Sequence, residues 1–432
     1  MKLWSKDNTE TSEQIEKFTV GRDNEFDTLL AEHDVTGTIA HVSMLQQAGL
    51  MDAKEAELAL NGLKQILEEI RINTFSIEEG VEDIHSQVEL LLTRRIGDAG
   101  KKIHSGRSRN DQIAVDIKLF LRGEILKIKD EVKSLFDLLI TQSEKNKDKL
   151  LPGYTHLQIA MPSSAGLWLG AYAESLVDDM ELLVSAYIIA NKNPLGSGAG
   201  YGSSFPLNRS LTTQLLGFRS MNYNSVYAQM SRGKTEKIVS QALASIAATL
   251  SKLAMDCCLY LNQNFGFISF PAELTTGSSI MPHKKNPDVF ELVRAHCNRI
   301  QAIPNELTIL LNNLPSGYHR DLQLTKEVLF PAFNELRSCL LMTGMMISNI
   351  TINENILNDE KYRYLFSVEA VNDLVNKGVP FREAYKTIGD QIDKGEFIYD
   401  FSKGLHHTHE GSIGNLKNDA IINEMDKVLK KF

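Results

Sequence analysis

The chain is poor in the features that would classify it quickly. Only four of its 432 residues are cysteine. Cys257, Cys258, Cys297 and Cys339 form no CxxC pair, so neither a disulfide framework nor a cysteine metal site is expected, and all four read as reduced and mostly buried. Positive charge is in deficit: 46 Lys and Arg against 55 Asp and Glu leave a net charge of −9. That field repels a phosphate backbone and offers no attraction to an anionic membrane, so neither nucleic acid nor a membrane is an expected partner. No apolar run of about 18 residues is present, and Met1 to Asp7 carries charge where a signal peptide needs an apolar core; a soluble, cytoplasmic protein is expected. Prolines are few, and none occurs before Pro152, over 207–270 or over 332–379, which leaves room for long helices. Alternating β patterns are scarce as well.

What is present is helical periodicity. Ile117, Leu121, Ile125, Ile128, Val132, Leu135 and Leu139 recur at steps of three and four, as one face of a helix requires, with Asn110 or Asp111 available to cap its start. Val239, Leu243, Ile246, Leu250, Leu253, Cys257 and Leu261 form a second seam flanked by alanines, which suits close packing in a bundle. The stretch from Val289 to Leu310 keeps the period but contains Pro304, and that from Leu324 to Ile350 contains Pro331, so a kink or interruption is expected at each. The expected fold is all-α, in three domains: an N-terminal helical domain over 1–105, a central long-helix bundle over 106–350, and a small C-terminal helical domain over 351–432. The long helices carry more apolar surface than one layer hides, which favours helix-on-helix association between copies.

Four segments rich in Gly, Ser, Asn and Pro separate the helices: 104–111, 193–209, 275–288 and 312–320. The densest chemistry lies in Thr276 to Asp288, TGSSIMPHKKNPD. A serine there, near a cation and exposed backbone amides, loses its proton more readily than a free hydroxyl, and Lys284 with Asn286 can hold a carboxylate. By composition alone a polar loop at a helix start explains the segment better. Taken singly, His85 and His156 read as partly buried histidines that complete hydrogen bonds, and Arg107 and Arg109 as a solvated face. The GxGxG spacing from Gly196 lacks a preceding strand and is weak evidence for a phosphate cradle; a mobile lid suits it better.

The complete string resembles the signature loop of the fumarase/aspartase superfamily. Gly106 to Gln112 (GRSRNDQ), Glu82 to His85 (EDIH), Tyr154 to Gln158 (YTHLQ), Leu314 to Gln323 with Lys326, and Gly378 to Ala384 (GVPFREA) resemble elements of its argininosuccinate lyase branch, so the likeness runs from about residue 15 to about 390. It implies an all-helical homotetramer with sites shared between subunits, no metal and no cofactor, and elimination of fumarate from argininosuccinate to leave arginine. It assigns Ser278 as base, Lys284 and Asn286 to the developing charge, and His156 as the acid beside the leaving guanidine, oriented by Glu291. His85, Ser108, Arg109, Asn110, Thr155, Asn286, Tyr318, Arg320, Gln323 and Lys326 would bind substrate. Two departures stand out. His283 occupies a position that is usually Gln, and Ser231-Arg232-Gly233 replaces a DRD triplet, so Arg232 loses two acids that would position it. The alternatives are another fumarate-releasing lyase of the superfamily, such as adenylosuccinate lyase or aspartase, and an inactive structural homologue.

Overall fold

The structure is a computed structural model that describes residues 13–432 apart from 402, 403 and 406. Two short helices, α1 (Glu13–Val20) and α2 (Asp23–Asp27), lead into α3 (Ala31–Gln47), α4 (Ala53–Arg71) and α5 (Ile84–Ile96). The Asp52 carboxylate caps α4 by accepting from the amides of Lys54 and Glu55, and Asp83 caps α5 by accepting from Ser86. These caps satisfy amides that a helix start leaves unpaired. Val35, Leu45, Leu63, Ile66, Ile84 and Leu92 close a separate apolar cluster between α3, α4 and α5.

The longest helix, α6 (Arg109–Lys145), has 37 residues and so spans about 55 Å. Every residue of its expected seam is buried. Its start differs from expectation: Ser108 is the N-cap, accepting from the Asn110 amide, and Asp111 closes a capping box by accepting from the Ser108 amide at 2.8 Å. The reason is conformational, since Ser108 keeps extended backbone while Asn110 and Asp111 already lie inside the first turn.

A hairpin follows, β1 (Leu150–Thr155) pairing antiparallel with β2 (Gln158–Ser164). It runs into α7 (Ala165–Ala190), the short helices α8 (Arg209–Leu215) and α9 (Ser225–Met230), and then α10 (Lys234–Leu261), α11 (Asp288–Leu310) and α12 (Thr325–Ser348). Helix α10 is long and apolar enough to cross a membrane by length and composition, yet it packs on α7, α11 and α12 at the centre of the bundle. Neither proline interrupts its helix: α11 continues through Pro304 and α12 through Pro331. Each costs one backbone hydrogen bond, but Ile300 and Leu307 on α11, and Phe330, Ala332 and Phe333 on α12, are buried against neighbouring helices. Tertiary packing outweighs the local defect. After α13 (Ser367–Asn376) and α14 (Phe381–Asp393), the last helix, α15 (Asn418–Leu429), returns to the bundle. There the Asn418 amide donates to Ser143 and to Glu144 on α6 at 2.9 and 2.7 Å.

Candidate active site

The start of α6 opens onto a cavity of about 200 Å³. Of the residues expected to bind substrate, His85, Arg109, Asn110, Tyr318, Arg320, Gln323 and Lys326 all line it, joined by Asp23, Asp27, Glu82, Asp83, Ile113 and Arg232. They converge from α2, the start of α5 and the residues just before it, the start of α6, the turn before α10, the loop before α12 and the first turn of α12. Opposite charges alternate around the wall. The Arg109 guanidinium meets Asp83 at 2.9 Å and Glu82 at 3.2 Å, and donates to the Ser86 hydroxyl at 2.6 Å. Arg320 lies 3.7 Å from Glu82 and donates to Gln323, whose own amide donates to the carbonyls of Thr19 and Val20. The buried Lys326 ammonium sits between Asp23, at 2.5 Å, and Asp27. Burial and the facing charge of Asp27 push the Asp23 carboxyl up to about 6 despite that lysine.

Beneath the cavity floor, His85 Nδ1 lies 2.8 Å from Asp34 and 3.7 Å from Asp116, all three buried. Burial pulls the imidazole pKa down, but the charge and hydrogen bond of Asp34, followed by the charges of Asp83 and Asp116, overcome it and raise His85 to about 9. Burial and Asp34 hold Asp116 well above the usual carboxylate range. Gln112 donates a further hydrogen bond to Asp34 at 2.6 Å. His85 is therefore both the structural histidine that its composition suggested and a wall of the cavity.

Ser108 caps α6 as described and is absent from the cavity wall. Arg107 is buried, not solvated, and donates to Thr38 at 3.0 Å; the turn that points Arg109 outward points Arg107 into the body. The glycine-rich segment after α7 is pinned to α6, because the Asp111 carboxylate accepts from the amides of Gly196 and Gly198, both at 2.9 Å. These glycines have φ of +83° and +60°, where a side chain would be strained. Arg232 has found another acid: it pairs with Glu236 one turn on at 3.1 Å, both buried, and donates to the Leu322 carbonyl.

The remaining candidates sit elsewhere on the chain. Two short antiparallel strands, Thr276–Gly277 and Lys285–Asn286, close the loop that carries Ser278. The Ser278 hydroxyl accepts from the Met281 amide at 3.1 Å and the Ile280 amide at 3.4 Å. Asn286 donates to the Gly277 carbonyl at 3.4 Å, and Thr276 donates to Asp288. Lys284 and His283 are exposed, as is Glu291 in the first turn of α11. Thr155 and His156 occupy the exposed hairpin tip, where His156 and Leu157 take φ of +54° and +58°. Two successive left-handed non-glycine residues are costly in a turn. Among the described residues, no hydrogen bond joins His156 to Glu291 or Lys284 to Ser278. Neither the serine loop nor the hairpin tip lines the cavity of its own chain.

Comparison with known proteins shows which family the chain belongs to. A family described as Lyase matches residues 8–302. An argininosuccinate lyase of Phocaeicola vulgatus is 60% identical over 431 residues, covering 100% of this chain and 96% of that protein. The chain belongs to the argininosuccinate lyase family. A more distant argininosuccinate lyase, from Stenotrophomonas maltophilia, is 38% identical over 95% of this chain and 93% of its own length. Solved structures show the same fold: an EDDS lyase in complex with formate aligns with a TM-score of 0.77 at 22% identity, covering 98% of this chain and 90% of that one. A class II fumarase from Schistosoma mansoni aligns at 0.72 and 17%, covering 93% and 91%. The predominantly helical, multi-domain architecture and the assignment as a lyase enzyme stand on these matches together.

For a member of this family, sequence reasoning missed Asp23, Asp27, Glu82, Asp83 and Arg232 as parts of the cavity. A signal existed for the first two: their four-residue spacing puts both carboxylates on one face of a helix. Glu82 and Asp83 lay inside a string already singled out, but only its histidine was chosen.

Proposed function

We propose that the chain splits argininosuccinate into arginine and fumarate, and that the cavity at the start of α6 holds the substrate while the serine loop and hairpin tip supply the chemistry from other subunits. Full-length identity of 60% to an argininosuccinate lyase carries the choice of substrate. The convergence of Asn110, Tyr318 and Gln323 on one cavity supports its location.

The difficult step is removal of a proton from the carbon beside a carboxylate, because the electrons left behind must spread into that carboxylate. Ser278 is the proposed base. Two backbone amides already point at its oxygen, and such donors favour the alkoxide over the hydroxyl. Lys284 and Asn286 face the carboxylate as its charge grows. The electron pair from the C–H bond then forms the C=C bond of fumarate as the C–N bond breaks, and the departing guanidine takes a proton from His156, oriented by Glu291. His85, Ser108, Arg109, Thr155, Arg320 and Lys326 join Asn110, Tyr318 and Gln323 in binding, with Ser108 acting through the cap that fixes Arg109 and Asn110.

A homotetramer is the proposed assembly. The long helices leave Leu182, Met255, Leu292, Ile309, Leu341 and Met345 exposed, apolar surface of the kind that a second copy would cover. The three-domain division, the cytoplasmic location and a role in arginine biosynthesis belong to the same proposal. Ultraviolet absorbance of released fumarate tests the activity: argininosuccinate should yield it and aspartate, malate and adenylosuccinate should not. Turnover of only one of the latter three would overturn the assignment.

A further inference from the structure

The turn into α10 carries the departure at Ser231-Arg232-Gly233, where the acids that would flank Arg232 are missing. It borders a second cavity, of about 340 Å³, enclosed by the end of α9, the start of α10, the end of α11 and the loop 312–317. Arg232, Lys234 and Lys237 line it, and every other wall residue is uncharged. Among the described residues neither lysine has an ion-pair partner; Lys234 lies over the Tyr227 ring, 5.6 Å from its centroid. The Arg232 side chain is 2% exposed, and its Nη1 has no hydrogen-bond partner. A buried donor left unsatisfied costs free energy that a bound acceptor would recover.

The acids near this corner do not reach its wall. Glu236 accepts from Arg232 Nε at 3.1 Å, and its charge also acts on the buried Lys118. Asp23 faces Arg232 from the cavity at the start of α6 and is already beside Lys326. With Arg232 answered by Glu236, the two lysines are left uncompensated, which suits a dianion. Lys234 and Lys237 stand three residues apart and so share one face of α10, with Arg232 just before them. Charge gathered in one place favours a compact dianion over a dicarboxylate, which holds its charges at opposite ends. A phosphate group carries about −1.5 to −2 at neutral pH and accepts strong hydrogen bonds from guanidinium and ammonium donors. The wall is also held in place. Gly233 has φ of +73°, and a Cβ there would lie 2.4 Å from Leu311 Cδ2, so glycine is what lets the end of α11 pack against the turn that presents Arg232. Arg232 Nη2 donates to the Leu322 carbonyl at 3.2 Å, and Leu322 lines the same cavity.

We propose that this cavity is a second binding site, which takes a phosphate group either as free phosphate or at the end of a small ester. Lys234 and Lys237 supply the charge, Arg232 Nη1 a buried hydrogen bond, and the Ser316 hydroxyl on the loop wall a further donor. Of the wall residues, Arg232 alone is shared with the cavity at the start of α6, so the inference does not depend on what that cavity binds.

The test is isothermal titration of the intact oligomer with inorganic phosphate at neutral pH and low ionic strength. Wild type should show one site per chain, and Lys234→Gln/Lys237→Gln should weaken it by about tenfold to a hundredfold, the usual worth of hydrogen bonds to charged groups. This double variant should keep its unfolding midpoint and release fumarate from argininosuccinate within about twofold of the wild-type rate, because neither lysine lines the cavity at the start of α6. Lys237→Arg, which keeps the charge, should retain binding. Glycerol phosphate that binds more tightly than inorganic phosphate would assign the site to an ester, and the reverse order would assign it to the free ion. Succinate should bind the lysine-dependent site at least about tenfold more weakly than phosphate; equal affinity would overturn the choice of a phosphate group. No binding to wild type, or equal binding by the folded double variant, would overturn the site. Phosphate binding that is lost in Asn110→Ala and kept in the double variant would place the anion in the other cavity and overturn it as well.

Discussion

At the level of single residues, the chain separates groups that do chemistry from groups that set charge. Ser278 has an environment suited to a base only because Met281 and Ile280 turn their amides toward it. Ser278→Ala should lower turnover by about 10²- to 10⁴-fold, the usual contribution of a general base, with little change in stability because the side chain is half-exposed; equal turnover in variant and wild type would reject the assignment. His85 makes a different prediction. Its folded pKa of about 9 lies above the ordinary value of 6.5, so its contribution to stability is complete below pH 6.5 and is lost as pH rises through 9. That contribution is at most about 3 kcal/mol. Thermal unfolding measured across this range should show Tm falling with pH in wild type and falling less in His85→Asn; parallel curves would show that the imidazolium adds nothing. Asn110, Tyr318 and Gln323 were legible as binding candidates from the strings they stand in. Their acidic neighbours were less legible: spacing puts Asp23 and Asp27 on one helix face, but the burial that separates them from solvated carboxylates is not written in that spacing.

At the level of elements, the start of α6 is where stability and function meet. Ser108 and Asp111 close a capping box, and the same Asp111 carboxylate ties down the glycine-rich segment. Burial pushes this acid up to about 6 against those amides. Asp111→Asn keeps one acceptor oxygen and turns an NH2 toward the other set of backbone N–H donors, so it can hold the capping box or the glycine segment but not both. A loss of about 1–3 kcal/mol is expected from the cap and the unpaired donors, read as a lower denaturation midpoint, together with a raised KM as Arg109 and Asn110 lose their fixed direction. A variant as stable as wild type would show that joining the cap to the glycine-rich segment through one carboxylate adds nothing to stability. The helices α11 and α12 teach the complementary lesson. Pro304 reads as a kink and Pro331 as an interruption in sequence, yet both helices continue, since propensity counts local cost and cannot count the apolar contacts that Phe330, Phe333 and Leu307 make with other helices.

At the level of the whole molecule, a single chain lines its cavity with neither its proposed base nor its proposed acid. Shared sites would follow directly. Ser278→Ala and Asn110→Ala, each inactive alone, should regain part of wild-type turnover when unfolded together and refolded as mixed oligomers, because some sites then draw both intact residues from different chains. No recovery would argue for sites built within one subunit, and light scattering should report a tetramer where a monomer would contradict the assembly. The sequence by itself determined the helical class, the seams and the strings that carry the family's chemistry, because periodicity and short-range motifs are local properties of the chain. Only tertiary structure decided that Arg107 is buried, that Arg232 turns to Glu236 and that Lys326 is claimed by two aspartates. Charge pairing depends on which distant segments meet and how far water is excluded between them, and neither distance nor dielectric is written in residue order.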